Sequence, residues 1–390
     1  MRRNDNRICP ICEREDGYPF LYQEGVPVLN NILCISFEEA RRVPVGVLDF
    51  YGCAHCGFVW NNAFDENLVC YGSNYENNQS HSSVFKNHLN EVVGELQSLM
   101  AYKPFSVIEV GCGQGYFLDL LESMGEGIKG LGFDPALRGR RETTHSLLIP
   151  EYARSDLVPP SITAPLLLLS RHVIEHIKNP YGFMLSLLAL SSEFSAIALE
   201  TPCVEWILRK KAFFDFYYEH CSIFTSQSLS WLLSRLGWKN NSVKSLFGEQ
   251  YLLGMASLDF LKKDEQEFSS RRFTELLSEF QRERAAFCEH WQETLNQWKR
   301  EGYRVAIWGG GSKGVMFANM LGGASAIFAA IDINPAKQGR FLPLSALPVL
   351  SPLEAKDAGI DRVIVMNPNY FDEIRFLCNE IKFAPCLIAI

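Results

Sequence analysis

The chain has 390 residues, of which 47% are hydrophobic and 21% charged, and its formal net charge is −8. This length exceeds one ordinary hydrophobic core, so two or three domains are expected. The acidic balance argues against a nucleic-acid-binding protein, which normally carries a basic face. The first residues, MRRNDNRICPIC, lack the apolar run of a signal peptide, and the most apolar run, APLLLLS, is too short to span a bilayer. We therefore expect a cytoplasmic protein with no membrane partner.

Two Cys-x-x-Cys pairs lie within the first 60 residues. Cys9 and Cys12 frame the sequence CPIC, and Cys53 and Cys56 frame CAHC. Both thiolates of such a pair can face one ion, and two pairs supply the four ligands of a closed, structural zinc site. Coincidental spacing and a redox motif are the alternatives. Because the Cys-, Gly- and Pro-rich residues 1–66 promise only a small core, we predict a zinc-stabilised N-terminal domain here.

The rest of the chain divides into three predicted parts. Residues 67–100 read as a polar, aromatic, substrate-facing loop followed by an amphipathic helix from about Ser82. They open a central domain, 67–261, in which short apolar runs alternate with helical patterns, as in a parallel α/β sheet, before a final hairpin. Residues 262–301 carry apolar groups at helical spacing on a charged background and predict a connecting helix or helix pair. Residues 302–390 predict a second, smaller α/β domain.

The first glycine-rich turn, SVIEVGCGQGYF, follows an apolar strand with an acidic end. Gly111, Gly113 and Gly115 alternate after Glu109, a spacing that lets the backbone lie flat against an amino acid with a sulfonium group. The next predicted strand ends at Asp134, an acid placed to accept both hydroxyls of a ribose. The pattern resembles the first motif of class I S-adenosylmethionine (SAM) methyltransferases, which implies that these five residues bind SAM in a Rossmann-like domain. A helix-packing turn without a ligand is the alternative.

The second glycine-rich turn, WGGGSKG, opens the last domain. Gly309, Gly311 and Gly314 satisfy the G-x-G-x-x-G pattern between a strand and a helix. Amide groups at the start of that helix favour an anion, and Lys313 adds a positive charge. By pattern alone this turn predicts a dinucleotide or phosphate cradle, and an NAD-binding oxidoreductase is one alternative function. A Rossmann-like scaffold that has lost its ligand is the other alternative.

A histidine-rich segment, RHVIEHIKNP, follows the fourth strand of the central domain. Ligands of parallel α/β sheets bind at the carboxyl ends of the strands. Ser170 and His172 lie at this strand end, and we predict that they contact the cofactor. A hydrogen bond from His172 to the strand end alone is the alternative.

The order of the motifs CPIC and CAHCG, YGSNYENNQSHS, EVGCGQGYF, RHVIEHIKNP, YYEHCSIFT and GGGSKG with IDINPAKQGRFLP is specific. Over nearly its whole length the chain resembles the three-domain sugar C-methyltransferases of antibiotic deoxysugar pathways, which methylate C-3 of dTDP-4-keto-6-deoxyhexoses. The resemblance implies SAM, structural zinc and a C-terminal domain that holds a nucleotide-linked sugar through Gly309, Gly311, Lys313 and Gly314. Two positions in the expected substrate region differ from the family: the turn usually reads closer to G-x-G-A-A-A-K-G-N-T, and Ile223 replaces an aromatic residue.

Carried over onto this sequence, the reacting residues of that family correspond to Tyr71, His176, Tyr217, Glu219 and His220. Removing a proton next to a ketone requires a base with a pKa near the operating pH, and the resemblance gives this role to His220. Glu219 or another nearby acid would orient or tune that base. The enolate oxygen would receive hydrogen bonds from Tyr71, Tyr217 or His176.

The predicted function is therefore SAM-dependent C-methylation next to the ketone of a nucleotide-linked deoxy-keto-sugar. Methylation of oxygen or nitrogen on another small molecule or nucleotide-linked metabolite is the alternative. We expect a small-molecule substrate, no nucleic-acid partner and a monomeric chain.

Overall fold

The computed structural model describes residues 7–72, 74–238, 240–257, 268–322 and 326–390. Within these residues the chain folds into three β-sheets of four, seven and five strands, accompanied by α-helices. The predicted mixed α/β class is confirmed. In the same residues, no helix combines the length and apolar character needed to cross a membrane.

The strands, in chain order, are β1 (Gly17–Pro27), β2 (Val45–Cys53), β3 (Val59–Asn61), β4 (Ser106–Val110), β5 (Lys129–Phe133), β6 (Ser146–Ile149), β7 (Leu166–Arg171), β8 (Phe194–Pro202), β9 (Ser222–Ile223), β10 (Asn241–Leu246), β11 (Tyr251–Ser257), β12 (Val305–Trp308), β13 (Ile327–Ile331), β14 (Val349–Leu350), β15 (Arg362–Val365) and β16 (Cys386–Ala389). The α-helices are α1 (Phe37–Arg41), α2 (Ser83–Leu99), α3 (Tyr116–Met124), α4 (Pro180–Leu188), α5 (Val204–Arg209), α6 (Ser226–Arg235), α7 (Ser270–Arg300), α8 (Ser312–Met320), α9 (Pro352–Asp357) and α10 (Phe371–Glu380).

The first sheet is antiparallel and has the order β1-β2-β3-β9. Its last strand comes from the middle of the chain, because Ile223 of β9 pairs with Val59 of β3. The sheet is therefore completed from outside residues 1–66. Ile223 is fully buried in it, which corrects the expectation that this position lies beside the substrate.

The central sheet has the order β10-β11-β8-β7-β4-β5-β6, with β4 to β8 parallel and β10 and β11 forming an antiparallel hairpin at one edge. Strand β7 (LLLLSR) is almost entirely buried, as expected for a central strand covered on both faces. The order in which strands are added to the sheet changes direction at β4. Strands β5 and β6 lie on one side of β4, whereas β7 and β8 lie on the other side. In such Rossmann-like sheets a crevice opens at that point, beyond the carboxyl ends of the strands.

The third sheet, β14-β13-β12-β15-β16, is wholly parallel. Helix α8 connects β12 to β13, so the second glycine-rich turn lies at the carboxyl end of β12. The sequence had indicated three of these strands, whereas the short strand β14 and the C-terminal strand β16 were not predicted.

One continuous helix, α7, occupies most of the predicted connector. Near its start Phe280 contacts Phe20 of the first sheet, with ring centroids 6.1 Å apart. Near its end Trp291 contacts Phe317 of α8, with centroids 5.4 Å apart. The helix therefore joins the first sheet to the third. The predicted boundary between residues 261 and 262, and residues 262–267 of the connector, lie outside the described residues.

Candidate active site

A cavity of about 670 Å³ lies between the central and third sheets. Three parts of the chain line it: the polar loop before α2, the segments that follow central strands, and the second glycine-rich turn with its neighbours. Most of the side chains that the sequence analysis selected for catalysis or substrate binding face this space. Ligand cavities commonly lie at such junctions between α/β units.

The polar loop is fastened to the C-terminal part of the chain. Glu373 of α10 accepts hydrogen bonds from the Ser82 hydroxyl and the Ser83 amide, each 2.6 Å long. Nδ2 of Asn334 donates to Oε1 of Glu76 over 3.2 Å. These bonds also supply an acceptor to the start of α2, which the Ser82 side chain caps. The loop thereby forms a wall of the cavity shared by both sheets.

Four of the five predicted reacting residues form two hydrogen-bonded pairs. The hydroxyl of Tyr71 lies 2.8 Å from Nδ1 of His176, and the hydroxyl of Tyr217 lies 2.9 Å from Nε2 of His220. The two imidazole rings are neighbours, with centroids 4.8 Å apart. The structure thus brings together residues that are up to 149 positions apart, from Tyr71 to His220.

Glu219, the fifth residue, has other partners than the predicted one. Its carboxylate accepts hydrogen bonds from the backbone amide of Asn30 over 2.8 Å and from the Tyr75 hydroxyl over 2.7 Å. No hydrogen bond of the described residues joins it to His220. Tyr75 in turn packs against Tyr71, with ring centroids 4.9 Å apart. Glu219 therefore holds Tyr75 in place and, through it, supports Tyr71. The sequence analysis did not select Tyr75, the second tyrosine of YGSNY.

The surroundings of His220 disfavour its protonated form. Burial, followed by the positive charges of His176, His172 and Lys313, lowers the pKa of His220 well below its usual value. Burial also raises the pKa of Tyr217 well above the ordinary value for a phenol. A neutral imidazole therefore faces an intact phenol hydroxyl and can accept a proton, although its pKa lies lower than the value near the operating pH that was expected of the base.

His172 lies beside the same cluster and has a strained backbone, with φ at +53°. Its ring lies between two buried carboxylates, 3.3 Å from Oε1 of Glu175 and 3.5 Å from Oε1 of Glu200. Burial opposes the charged form, but the two carboxylates prevail and raise the pKa of His172 to about 9. The predicted cofactor residue is thus a positively charged side chain that lines the cavity.

Glu200 is the centre of a buried ionic cluster. Its carboxylate lies 2.6 Å from Nε2 of His88 and 2.6 Å from Nε of Arg171. Burial opposes its ionisation, but Arg171 and His172 hold the pKa of Glu200 well below its usual value. A buried charge of this kind is tolerated only when it is paired and hydrogen-bonded. The cluster therefore ties the carboxyl ends of β7 and β8 to each other and to α2, next to His172.

The first glycine-rich turn is built for a close ligand. Gly111 has φ at +81°, and a Cβ added there would lie 2.1 Å from Cγ2 of Val173, so only glycine fits. Gly113 donates its amide to Oδ2 of Asp134 over 2.8 Å, and a Cβ added to it would meet nothing within 4 Å. Gly115, with φ at +80°, begins α3. The turn therefore borders open space while packing against the segment that carries the histidines.

Two acids of this turn have acceptor capacity suited to SAM. Oε2 of the buried Glu109 has no hydrogen-bond partner among the described residues, and burial raises the pKa of Glu109 to about 7. Asp134 accepts amides on both oxygens, from Gly113 and Ala136, and each oxygen keeps a further lone pair. An unpartnered carboxylate oxygen suits the ammonium group of SAM, and Asp134 suits its ribose. Ser170, by contrast, donates its hydroxyl to the Val110 carbonyl within the sheet.

The four predicted zinc ligands converge. The Sγ atoms of Cys9 and Cys56 are 3.7 Å apart, those of Cys12 and Cys53 are 3.5 Å apart, and all four lie within 4.8 Å of one another. Zn–S bonds of about 2.3 Å in a tetrahedron place the sulfur atoms roughly 3.8 Å apart. The geometry therefore fits a closed tetrahedral site for zinc.

A second group in the described residues has the residue types of a cation site. Ligand atoms of Glu175, His176 and His220 lie within 4.8 Å of one another, and Oε1 of Glu175 has no hydrogen-bond partner among the described side chains. Two imidazoles and one carboxylate could hold a divalent ion. In the structure the nearest charged neighbour of that carboxylate is His172.

The second glycine-rich turn repeats the arrangement of the first. Gly310 donates its amide to Oδ2 of Asp332 over 2.8 Å, as Gly113 does to Asp134. A Cβ at Gly314 would lie 2.0 Å from the Gly309 carbonyl oxygen, so this position also requires glycine. Gly309, Gly311 and Gly314 all line the cavity.

Lys313 faces the cavity but its charge is already paired. Its ammonium forms an ion pair with Asp215 and lies 5.1 Å from the centre of the Trp206 ring. The predicted positive charge at Lys313 is therefore paired with a carboxylate. The sequence offered no signal for this pair, because Asp215 lies 98 residues earlier in another part of the fold.

Two parts of the chain match families of known proteins. Residues 85–243 match the family described as "Methyltransferase domain", and residues 254–382 match "C-methyltransferase C-terminal domain". The C-methyltransferase NovU of Streptomyces niveus is 23% identical over 397 residues, which cover 96% of this chain and 92% of NovU.

Similar solved structures include the magnesium protoporphyrin IX methyltransferase ChlM of Synechocystis PCC 6803 with bound SAH, at 12% identity and a TM-score of 0.33, covering 45% of this chain and 83% of ChlM. A SAM-dependent methyltransferase of Aquifex aeolicus has 16% identity and a TM-score of 0.30. The match covers 43% of this chain and 88% of the Aquifex aeolicus chain.

The chain is a SAM-dependent methyltransferase, which confirms the predicted enzyme class. Its C-terminal part is similar to the C-terminal domain of C-methyltransferases, and nearly the whole chain is similar to the C-methyltransferase NovU.

Proposed function

We propose that this enzyme transfers a methyl group from SAM to a carbon atom next to the ketone of a nucleotide-linked deoxy-keto-sugar, with His220 as general base. One observation carries the proposal: the Tyr217–His220 pair and the second glycine-rich turn line the same cavity. A substrate with a reactive sugar at one end and a nucleotide at the other fits such a space. The similarity to the C-methyltransferase NovU supports the same reading.

In this mechanism Nε2 of His220 removes the proton from the carbon next to the ketone. The C–H bonding electrons move to form the enolate, whose negative charge rests largely on oxygen. The Tyr217 hydroxyl, which lies 2.9 Å from Nε2 in the free protein, turns to donate to that oxygen. Tyr71 and His176 are joined by their own hydrogen bond and lie beside the base, with the His176 and His220 ring centroids 4.8 Å apart. His220 afterwards releases its proton to solvent.

The first glycine-rich turn would hold SAM, with Glu109 at the ammonium group and Asp134 at the ribose. When bound, SAM supplies an electrophilic methyl group for the carbon nucleophile. Gly111 packs directly against Val173, the neighbour of His172, so the turn and the reacting histidines are parts of one rigid assembly. Alignment of the two reactants in that assembly provides much of the rate acceleration.

The proposal assigns separate tasks to the parts of the chain. Residues 1–66 would bind structural zinc, 67–261 would bind SAM and carry the chemistry, 262–301 would connect, and 302–390 would hold the nucleotide.

Product analysis tests this function. The enzyme, SAM and a panel of thymidine- and guanosine-diphosphate keto-sugars are incubated, and the products are examined by mass spectrometry and NMR. The proposal expects a new C–CH₃ group on the carbon next to the ketone. A methyl group found on oxygen or nitrogen would contradict the proposal and favour O- or N-methylation instead. Methyl transfer that continues unchanged in His220→Gln would do the same.

A further inference from the structure

We propose that Lys337 forms an anion-binding subsite at the start of α8 that takes the diphosphate group of the substrate. This inference rests on the proposed function, because that function requires a nucleotide-linked substrate. Lys337 belongs to the segment NPAKQGR after β13 and was not among the predicted binding residues.

Lys337 is a buried lysine that faces the cavity. Its side chain is among the buried polar groups, at 8% exposure for the residue, and it contributes to the cavity wall. Its ammonium donates to Oδ1 of Asn31 over 3.0 Å and to the Gly310 carbonyl over 3.3 Å. Both acceptors are neutral, so the positive charge has no full counter-charge in these contacts.

The carboxylates of Asp332 and Glu219 accept hydrogen bonds from other groups. Asp332 accepts the amides of Gly310 and Asn334, each over 2.8 Å. Glu219 accepts from Asn30 and Tyr75, although the positive charge of Lys337 still acts on it through space. Within the described part of the chain, Lys337 forms no ion pair at 4.0 Å or less. A cation removed from water without a paired anion is costly, so the arrangement favours an incoming anion.

Helix α8 adds donors to the same place. A Cβ added to Gly311, the residue that precedes α8, would lie 3.6 Å from Nζ of Lys337. Gly311 provides no side-chain cap, and the first amides of a helix have no acceptor inside it. The positive end of the helix dipole also repels an ammonium group. A phosphate group between them would remove that repulsion and accept hydrogen bonds from both.

Lys313 is a useful contrast. Both lysines line the cavity, but the ammonium of Lys313 is paired with Asp215 whereas that of Lys337 contacts only neutral oxygens. The two positions therefore differ in the charge available to an anion, and replacing Lys313 would leave Asp215 unpaired. Sequence reasoning favoured Lys313 because it lies inside the glycine motif.

The experiment is an isothermal titration of the full-length enzyme with thymidine diphosphate, thymidine and inorganic pyrophosphate. The wild type should bind both anions, and Lys337→Gln should weaken their binding by about 10- to 100-fold. Thymidine binding should stay the same in all variants. Lys356→Gln, at an exposed lysine outside the cavity, should leave anion binding unchanged, and Lys337→Arg should restore most of it. Lys337→Met serves as the second neutral variant if the glutamine variant does not fold.

Equal losses in the two glutamine variants, or anion binding that survives both neutral variants of Lys337, would overturn the subsite. Pyrophosphate that binds through Lys337 as tightly as thymidine diphosphate would support it and identify free diphosphate as a second source. The proposed function fails separately. If no keto-sugar is methylated on carbon while the Lys337 dependence of anion binding remains, the subsite stands without it.

Discussion

The hydroxyl of Tyr217 and Nε2 of His220 are 2.9 Å apart, and both side chains line the cavity. The two residues are three positions apart in the chain and their rings lie in contact, with centroids 4.0 Å apart. Burial keeps the phenol protonated and the imidazole neutral. A proton acceptor and a hydrogen-bond donor are therefore held side by side before substrate arrives.

The acid limb of the pH–rate profile should depend on His172. The positive charge of His172 contributes to the low pKa of His220, so the base should stay neutral and active below pH 6.5. His172→Gln removes this charge and should move the acid limb of proton abstraction to higher pH. The profile of substrate proton exchange measures this, with the exposed His145→Gln as control. Identical acid limbs in wild type and His172→Gln would contradict the electrostatic role.

The pH dependence of the free energy of unfolding should also reflect His172. Its pKa is raised to about 9 in the folded protein, above the ordinary histidine value of about 6.5. The stabilisation that it contributes is therefore complete below about pH 6.5 and is lost as pH rises through 9. In thermal unfolding, the Tm of the wild type should exceed that of His172→Gln, and this difference in Tm should shrink as the pH rises from about 6.5 to about 9. A difference in Tm that does not depend on pH would show that the ring acts through packing alone.

Binding of SAM should distinguish the two glycine-rich turns. Asp134→Ala should weaken the binding of S-adenosylhomocysteine, measured by isothermal titration, by at least about tenfold, because a hydrogen-bonded charged acceptor is lost. Asp332→Ala is a close structural control, since each aspartate accepts an amide of its own turn over 2.8 Å. It should leave this binding unchanged. A loss confined to Asp332→Ala would assign the cofactor to the third sheet instead.

Zinc should be bound by the four-cysteine cluster. We expect one zinc ion per chain by elemental analysis, with loss of the metal and a lower Tm in Cys12→Ser. Cys70→Ser is the control, because Cys70 is exposed and outside the cluster. A full zinc content in Cys12→Ser would contradict the site.

Much of this site could be predicted because its signals are local. Glu109 and its glycines lie within a few residues of each other, and Tyr217 and His220 lie on one short turn. The spacing of the glycines and of the cysteines indicates a ligand by itself, whereas Tyr217 and His220 were identified only through the resemblance to the sugar C-methyltransferases. The cysteine pairs belong to the same class of signal.

The misplaced details depend on contacts distant in sequence. The ion pair of Lys313 with Asp215 and the hydrogen bond of Glu219 with Tyr75 span 98 and 144 residues. Ile223 is buried because a strand from the middle of the chain completes the first sheet. Periodicity and spacing report on neighbours along the chain, so they carry no information about these partners.

Exchange of the substrate proton tests the central claim most directly. Thymidine-diphosphate 4-keto-6-deoxyhexose is incubated in deuterium oxide with enzyme and S-adenosylhomocysteine, and deuterium at the carbon next to the ketone is followed by NMR. The account predicts exchange by the wild type and by His145→Gln, slowed on the order of 100- to 10,000-fold in His220→Gln. Exchange that proceeds equally fast in His220→Gln would contradict His220 as the base.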